Sequence, residues 1–229
     1  MSYFFVLLVS LSCSVHKSLP EPVPPVEKPC FFQTKQTIVV LGSSTAEGAG
    51  ASRTDSSWVG RLRNFAKPSE VINLAKAGYF TGHILPTGTG TSSIPIDTNR
   101  NVNAALRYHP TCVIISMTTN DLANNVSVEK VMKNIAATVT FAKDHGVRYV
   151  FVTTPHPRNI SPAKTAEYLQ YRDEVIRVYG DYSVNFYDAI AGEDHLTRPE
   201  LLKDGLHPND KGHGLLFYQL IAVLLRLKC

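Results

Sequence analysis

The sequence predicts an α/β fold, a three-layer α/β/α sandwich built on a five-stranded parallel sheet. Two observations carry that prediction. Five short runs rich in Val and Ile alternate with longer segments of helical spacing, the pattern of strand–crossover–strand units. Three of those runs are apolar at nearly every position, as strands buried on both faces must be. The chain has 229 residues, enough for one domain with a substantial core and a short N-terminal extension.

The expected strands are Thr37 to Leu41, Glu70 to Leu74, Cys112 to Met117, Arg148 to Thr153 and Ser183 to Tyr187. Between the first two, Trp58, Leu62 and Phe65 recur at helical spacing, predicting a helix over Ser57 to Ala66, with serines and Asp55 placed to cap it. Helices are also expected over Asn99 to Tyr108, Val128 to Asp144 and Ala163 to Tyr179. A last one, Asp210 to Leu227, carries Leu215, Leu216, Phe217, Leu220 and Leu224 toward the core. The alternation implies right-handed crossovers.

Composition narrows the function. Hydrophobic residues make up 44% and charged residues 18%, which separates the chain from disordered sequences. The formal charge of +4 is dispersed, with no run of five Lys or Arg and no aromatic–basic interleaving. Nucleic acid is therefore not an expected partner. The His and Cys residues show no metal-ligand spacing. Gly48-Ala49-Gly50 follows a strand, but Arg53 stands where a third glycine would complete a dinucleotide fingerprint.

The N-terminus reads as an export signal over residues 1–13. Tyr3 to Val9 is continuously apolar, far short of the roughly 20 residues of a spanning helix. Small residues, Ser10 to Ser14, surround Cys13. That arrangement resembles a bacterial lipoprotein signal with a lipid anchor on Cys13, although no Lys or Arg precedes the run. The expected location is the periplasm or the outer cell surface; a frayed N-terminus on a cytoplasmic enzyme is the alternative. Residues 14–36 read as a proline-rich linker, which dense prolines keep extended. The catalytic domain is expected over residues 37–229. Cys112 lies in an apolar strand, whereas Cys30 and Cys229 bound the domain and an oxidising compartment would let them pair.

In an open parallel sheet, ligands bind beyond the carboxyl ends of the strands. The loops there after the first three strands are Gly42-Ser43-Ser44-Thr45, Ala75-Lys76-Ala77-Gly78 and Thr118-Thr119-Asn120-Asp121. Ser44 is a candidate nucleophile. Gly78, lacking a side chain, lets its backbone N–H approach an oxyanion, and Asn120 can aim its amide at the same oxygen, with the Ser44 N–H as a third donor. Near the C-terminus, Asp204-Gly205-Leu206-His207-Pro208 sets a carboxylate three residues before a histidine. Asp204 can steady Nδ1 of His207 and leave Nε2 as a base. Asp194-His195 is a rival pair, but adjacent residues orient poorly toward each other. His83 and His156 are expected at the cleft or its rim.

These residues resemble the SGNH (GDSL-type) hydrolases, whose four marker residues occur in chain order. The matches are Ser44, Gly78, Asn120 and His207, with Asp204 as carboxylate, so the resemblance runs from about Thr37 to the C-terminus. Ser43 replaces the usual aspartate beside the nucleophile, and Thr118 the usual glycine of the third block. Neither position is expected to move protons, so both bear on substrate preference. The resemblance implies a flavodoxin-like strand order 2-1-3-4-5 and esterase or lipase chemistry with neither metal nor cofactor. The expected substrate is a small-molecule or polysaccharide ester, with removal of acetyl groups from carbohydrate first. Alternatives are hydrolysis of longer acyl chains, as by a lysophospholipase, and a catalytically silent carbohydrate-binding surface domain. Oligomeric state is not legible from these residues.

Overall fold

The computed structural model describes residues 29–89, 94–117 and 119–227. The signal segment, Cys13, most of the linker, Thr118 and Cys229 lie outside those residues. Five parallel strands form one sheet: β1 Thr37–Gly42, β2 Glu70–Asn73, β3 Cys112–Ser116, β4 Tyr149–Thr153 and β5 Ser183–Val184. Their order is β2-β1-β3-β4-β5, the flavodoxin-like 2-1-3-4-5 arrangement.

Consecutive residues of a strand face opposite sides, and here both sides are covered. Val39, Leu41, Val113, Ile115, Val150 and Val152 pack on one face beneath α3 (Val102–Leu106), α5 (Val128–Asp144) and α6 (Pro162–Tyr179). Ile38, Val40, Cys112, Ile114 and Phe151 face the other layer, formed by α2 (Trp58–Ala66) and α8 (Asp210–Arg226). The unbroken apolar runs therefore follow from two buried faces. Among the described residues there are three further short helices: α1 Ser44–Glu47, α4 Asn120–Ala123 and α7 Phe186–Ile190.

Three of the differences from the sequence expectation arise from side-chain caps. Ser57 alone caps α2, accepting from Gly60 N at 3.0 Å, while Asp55 sits in the preceding 3-10 turn. The Asn101 side chain accepts from Ala104 N at 3.0 Å, so α3 starts at Val102 and not at Asn99. β5 has two residues, not the five from Ser183 to Tyr187. Asn185 accepts from Asp188 N at 3.1 Å and turns the chain into α7, whose Phe186 and Tyr187 supply the apolar signal from a helix.

The packed fold also starts upstream of β1. Cys30–Phe32 forms a 3-10 turn, and Phe31 is buried edge-to-face against Tyr149, with ring centroids 5.1 Å apart. Phe31 and Gln36, within the span the sequence assigns to the linker, are thus buried against the domain. Cys30 is disulfide-bonded and Cys112 is a buried free thiol, whose pKa burial pushes far up. Cys229, the expected partner of Cys30, lies outside the described residues. Among the described residues no helix is long and apolar enough to cross a membrane.

Candidate active site

Sheet register places the first half of the site. Gly42 of β1 pairs with Ser116 of β3, so the loops carrying Ser44 and Asn120 leave the sheet side by side. The end of β2 and the loop after it lie on the opposite flank of β1 and are tied to α1 by two bonds. Asn73 Nδ2 donates to Ala46 O at 2.8 Å, and Ala77 N donates to Glu47 Oε2 at 2.9 Å. Gly78, next in that loop, has φ +80, a left-handed conformation that favours glycine. Among the described residues no protein acceptor takes its N–H. Asn120 Nδ2 donates to Tyr79 O at 2.9 Å, which fixes one amide proton and leaves the other to point elsewhere.

Asp121 shows why asparagine and aspartate stand side by side. It is buried and turned away from Asn120, accepting from Thr81 N at 2.9 Å and Thr81 Oγ1 at 2.7 Å. Asn134 of α5 then bonds Thr81 Oγ1 at 2.8 Å. Burial pushes the Asp121 carboxyl above its ordinary value.

The second half is a turn ahead of α8. Asp204 Oδ1 accepts the backbone N–H of Leu206 at 3.0 Å and of His207 at 2.8 Å. Its other oxygen lies 2.8 Å from His207 Nδ1. The bonds from His207 hold the Asp204 carboxylate down at about 2, so it only accepts and Nδ1 bears the proton. Nε2 of His207 is then a lone-pair acceptor, 3.0 Å from Ser44 Oγ. Ser44, His207 and Asp204 form one hydrogen-bonded chain across 163 residues of sequence.

Several residues that position this chain were not singled out from sequence. Gly50 has φ +89, and a Cβ there would meet Pro208 O at 2.2 Å and His207 Cβ at 2.9 Å. It belongs to the Gly-Ala-Gly run that fails as a phosphate motif; its role is to let the loop after α1 lie against the histidine turn. Ser52 fastens the same loop to α8, with N and Oγ on Asp210 Oδ1 and Oδ2 at 2.7 and 2.6 Å. His213 is fully buried and accepts from Trp58 N at 3.3 Å while donating to Ala49 O at 2.9 Å. A polar residue on the inward stripe of α8 was the available signal for it.

His156 does not line the cleft as expected. It is 2% exposed, beneath the nucleophile loop. Its Nδ1 faces Pro157 O at 3.0 Å, a pure acceptor, so Nε2 accepts from Thr45 Oγ1 at 2.9 Å. Burial drives its pKa down to about 4, keeping the ring neutral. His83 stacks flat on Tyr79, centroids 4.5 Å apart. Asp194 bonds Leu196 N at 3.0 Å, apart from the chain through His207. Among the described residues no group of three or more His, Cys, Asp or Glu is placed to hold a metal ion.

Residues 40–215 match the GDSL-like lipase/acylhydrolase family, most of the chain and every residue of the site. The chain belongs to that family. Solved structures share the fold at low identity. A G-D-S-L family lipolytic protein from Desulfitobacterium hafniense DCB-2 is 19% identical with a TM-score of 0.66, over 82% of this chain and 99% of that one. The psychrotrophic esterase EstA from Pseudoalteromonas sp. is 22% identical with a TM-score of 0.59, over 83% and 97%. A two-domain esterase active on acetylated mannans, crystallised with mannopentaose, is 17% identical with a TM-score of 0.59, over 83% of this chain and 49% of that one. No curated protein matches the sequence significantly.

Proposed function

We propose that this GDSL-type ester hydrolase is a serine esterase that works through an acyl-enzyme and removes acetyl groups from carbohydrate. One observation carries the mechanism: Ser44 Oγ lies 3.0 Å from an imidazole nitrogen whose partner nitrogen is held by Asp204. The Ser44 proton passes to His207 Nε2 as Oγ bonds the ester carbon and the carbonyl electron pair moves onto oxygen. The N–H groups of Ser44 and Gly78 and the second amide proton of Asn120 receive that oxyanion; each such donor is worth roughly 10²–10³ in turnover. Collapse breaks the bond to the alcohol, which takes the proton back from His207. Water then repeats the sequence on the acyl-enzyme.

The acetyl-sugar assignment draws on the fold neighbour active on acetylated mannans. Ser44→Ala should abolish hydrolysis of p-nitrophenyl acetate and fluorophosphonate labelling while the melting temperature stays nearly unchanged; retained turnover ends the proposal. Rates that rise from acetyl to octanoyl and decanoyl esters would move the substrate to longer acyl chains. Export fits the disulfide at Cys30, because such bonds persist in oxidising compartments. Anchoring at Cys13 is read by fatty-acid labelling of the full chain, which Cys13→Ala must eliminate.

A further inference from the structure

Tyr79 sits between the two oxyanion donors that come from outside the nucleophile loop. It follows Gly78 directly, and its carbonyl holds Asn120 Nδ2 at 2.9 Å. Any rotation of the Tyr79 backbone therefore moves both donors together. The residue is 5% exposed, and its ring is clamped by His83 on one flank and by Lys76 Nζ, 5.6 Å from the ring centroid. Its hydroxyl donates to Asp97 Oδ2.

Asp97 is itself fixed. It lies past the long segment after β2, where its N–H donates to His83 O at 3.0 Å. Its second oxygen accepts from Asn99 N at 2.9 Å, and Arg100 reaches back to Leu74 O and Ala75 O at 3.4 and 3.3 Å. The carboxylate is thus held by the Asn99 N–H, and it offers the tyrosine hydroxyl a fixed acceptor.

We infer that Tyr79 and Asp97 are positioning residues for the oxyanion site, acting as one hydrogen-bonded strut that sets the direction of the Gly78 N–H and the Asn120 amide. The inference rests on the reading of Gly78 and Asn120 as oxyanion donors. Neither residue touches the substrate. Their effect appears where negative charge builds on the carbonyl oxygen, because misdirected donors lose more in the transition state than in the ground state.

The test is steady-state hydrolysis of p-nitrophenyl acetate together with affinity for a boronic acid that forms a tetrahedral adduct on Ser44. Tyr79→Phe keeps the ring and the backbone carbonyl and removes only the hydroxyl. It should lower kcat roughly tenfold with KM nearly unchanged and weaken boronate binding by a similar factor, about 1.4 kcal/mol. Asp97→Ala should do the same, Asp97→Asn should recover at least half of the loss, and the double variant Y79F/D97A should be no worse than either single. An unchanged kcat in Tyr79→Phe, or additive losses, overturns the strut. Asn120→Ala separates the layers: if it spares kcat, the oxyanion reading falls and takes this inference with it. If only Asn120→Ala lowers kcat, the strut alone is wrong. Should Tyr79→Phe fail to fold, the Asp97 pair carries the same comparison.

Discussion

The two halves of the site are held in different ways. The Ser44 half is set by the sheet: β1 and β3 are in fixed register, and every residue of β3 is buried. The His207 half is a surface turn whose aspartate side chain is 51% exposed. Its place is set by polar bonds around the turn, such as Lys203 N to His207 O, and by contacts from the loop after α1, Gly50 against Pro208 and Ser52 on Asp210. The nucleophile thus depends on the core, whereas the base depends on local polar bonds and one close backbone approach. Damage to the second half should reach activity well before it reaches the fold.

The largest effect that tests this contrast is on the orienting carboxylate. Asp204→Asn should cut kcat on the order of 10³–10⁴-fold, because the amide no longer fixes the Nδ1–H tautomer. A melting temperature within a few degrees of wild type is expected alongside it, since the side chain is half exposed. A large fall in melting temperature would show that the turn supports the fold, which breaks the contrast. Because Asp204 is held down at about 2, it is ionised throughout the working range, so loss of activity between pH 8 and 5 is not its titration.

A smaller effect follows from Gly50. Gly50→Ala puts a Cβ 2.2 Å from Pro208 O in a backbone conformation with φ +89, so the histidine turn must shift. A displacement near 1 Å is worth on the order of 10² in kcat/KM. Ester hydrolysis and circular dichroism of the same sample decide the matter: native-like spectra with unaltered activity would show that the contact positions nothing.

The nucleophile half makes its own, weaker prediction, on stability. His156 is neutral in the folded protein and takes up a proton on unfolding between about 4 and its ordinary value of 6.5. In that window the unfolded chain binds more protons, so stability is complete above it and falls as pH drops through it. The loss has an upper limit of about 3 kcal/mol. Burial shifts His213 in the same direction. Denaturant melts at pH 7.5 and 5.0 measure the difference, which His156→Gln should reduce; an equal difference in both proteins would assign it elsewhere.

Legibility in the sequence followed the same division. Val39-Val40 and Ile114-Ile115 announce strands covered on both faces, and Ser44, Gly78 and Asn120 are readable because each lies in a loop that leaves the carboxyl end of an expected strand. Asp204 and His207 are readable because their bond is local. The roles of Gly50, Tyr79, Asp97, His156 and His213 are not legible in the sequence, because each rests on a contact that no local motif announces. Apolar periodicity likewise misjudged β5, since an Asn185 cap and a buried helix turn leave the same apolar trace as a strand.

By itself, the sequence determined the sheet and its covering layers and picked out the candidate reacting groups, because burial period and local spacing are properties of neighbouring residues. Only the tertiary structure decided that Ser44 Oγ and His207 Nε2 stand 3.0 Å apart. That distance depends on strand register and on a glycine that lets two loops touch. Neither of these is a local property of the chain.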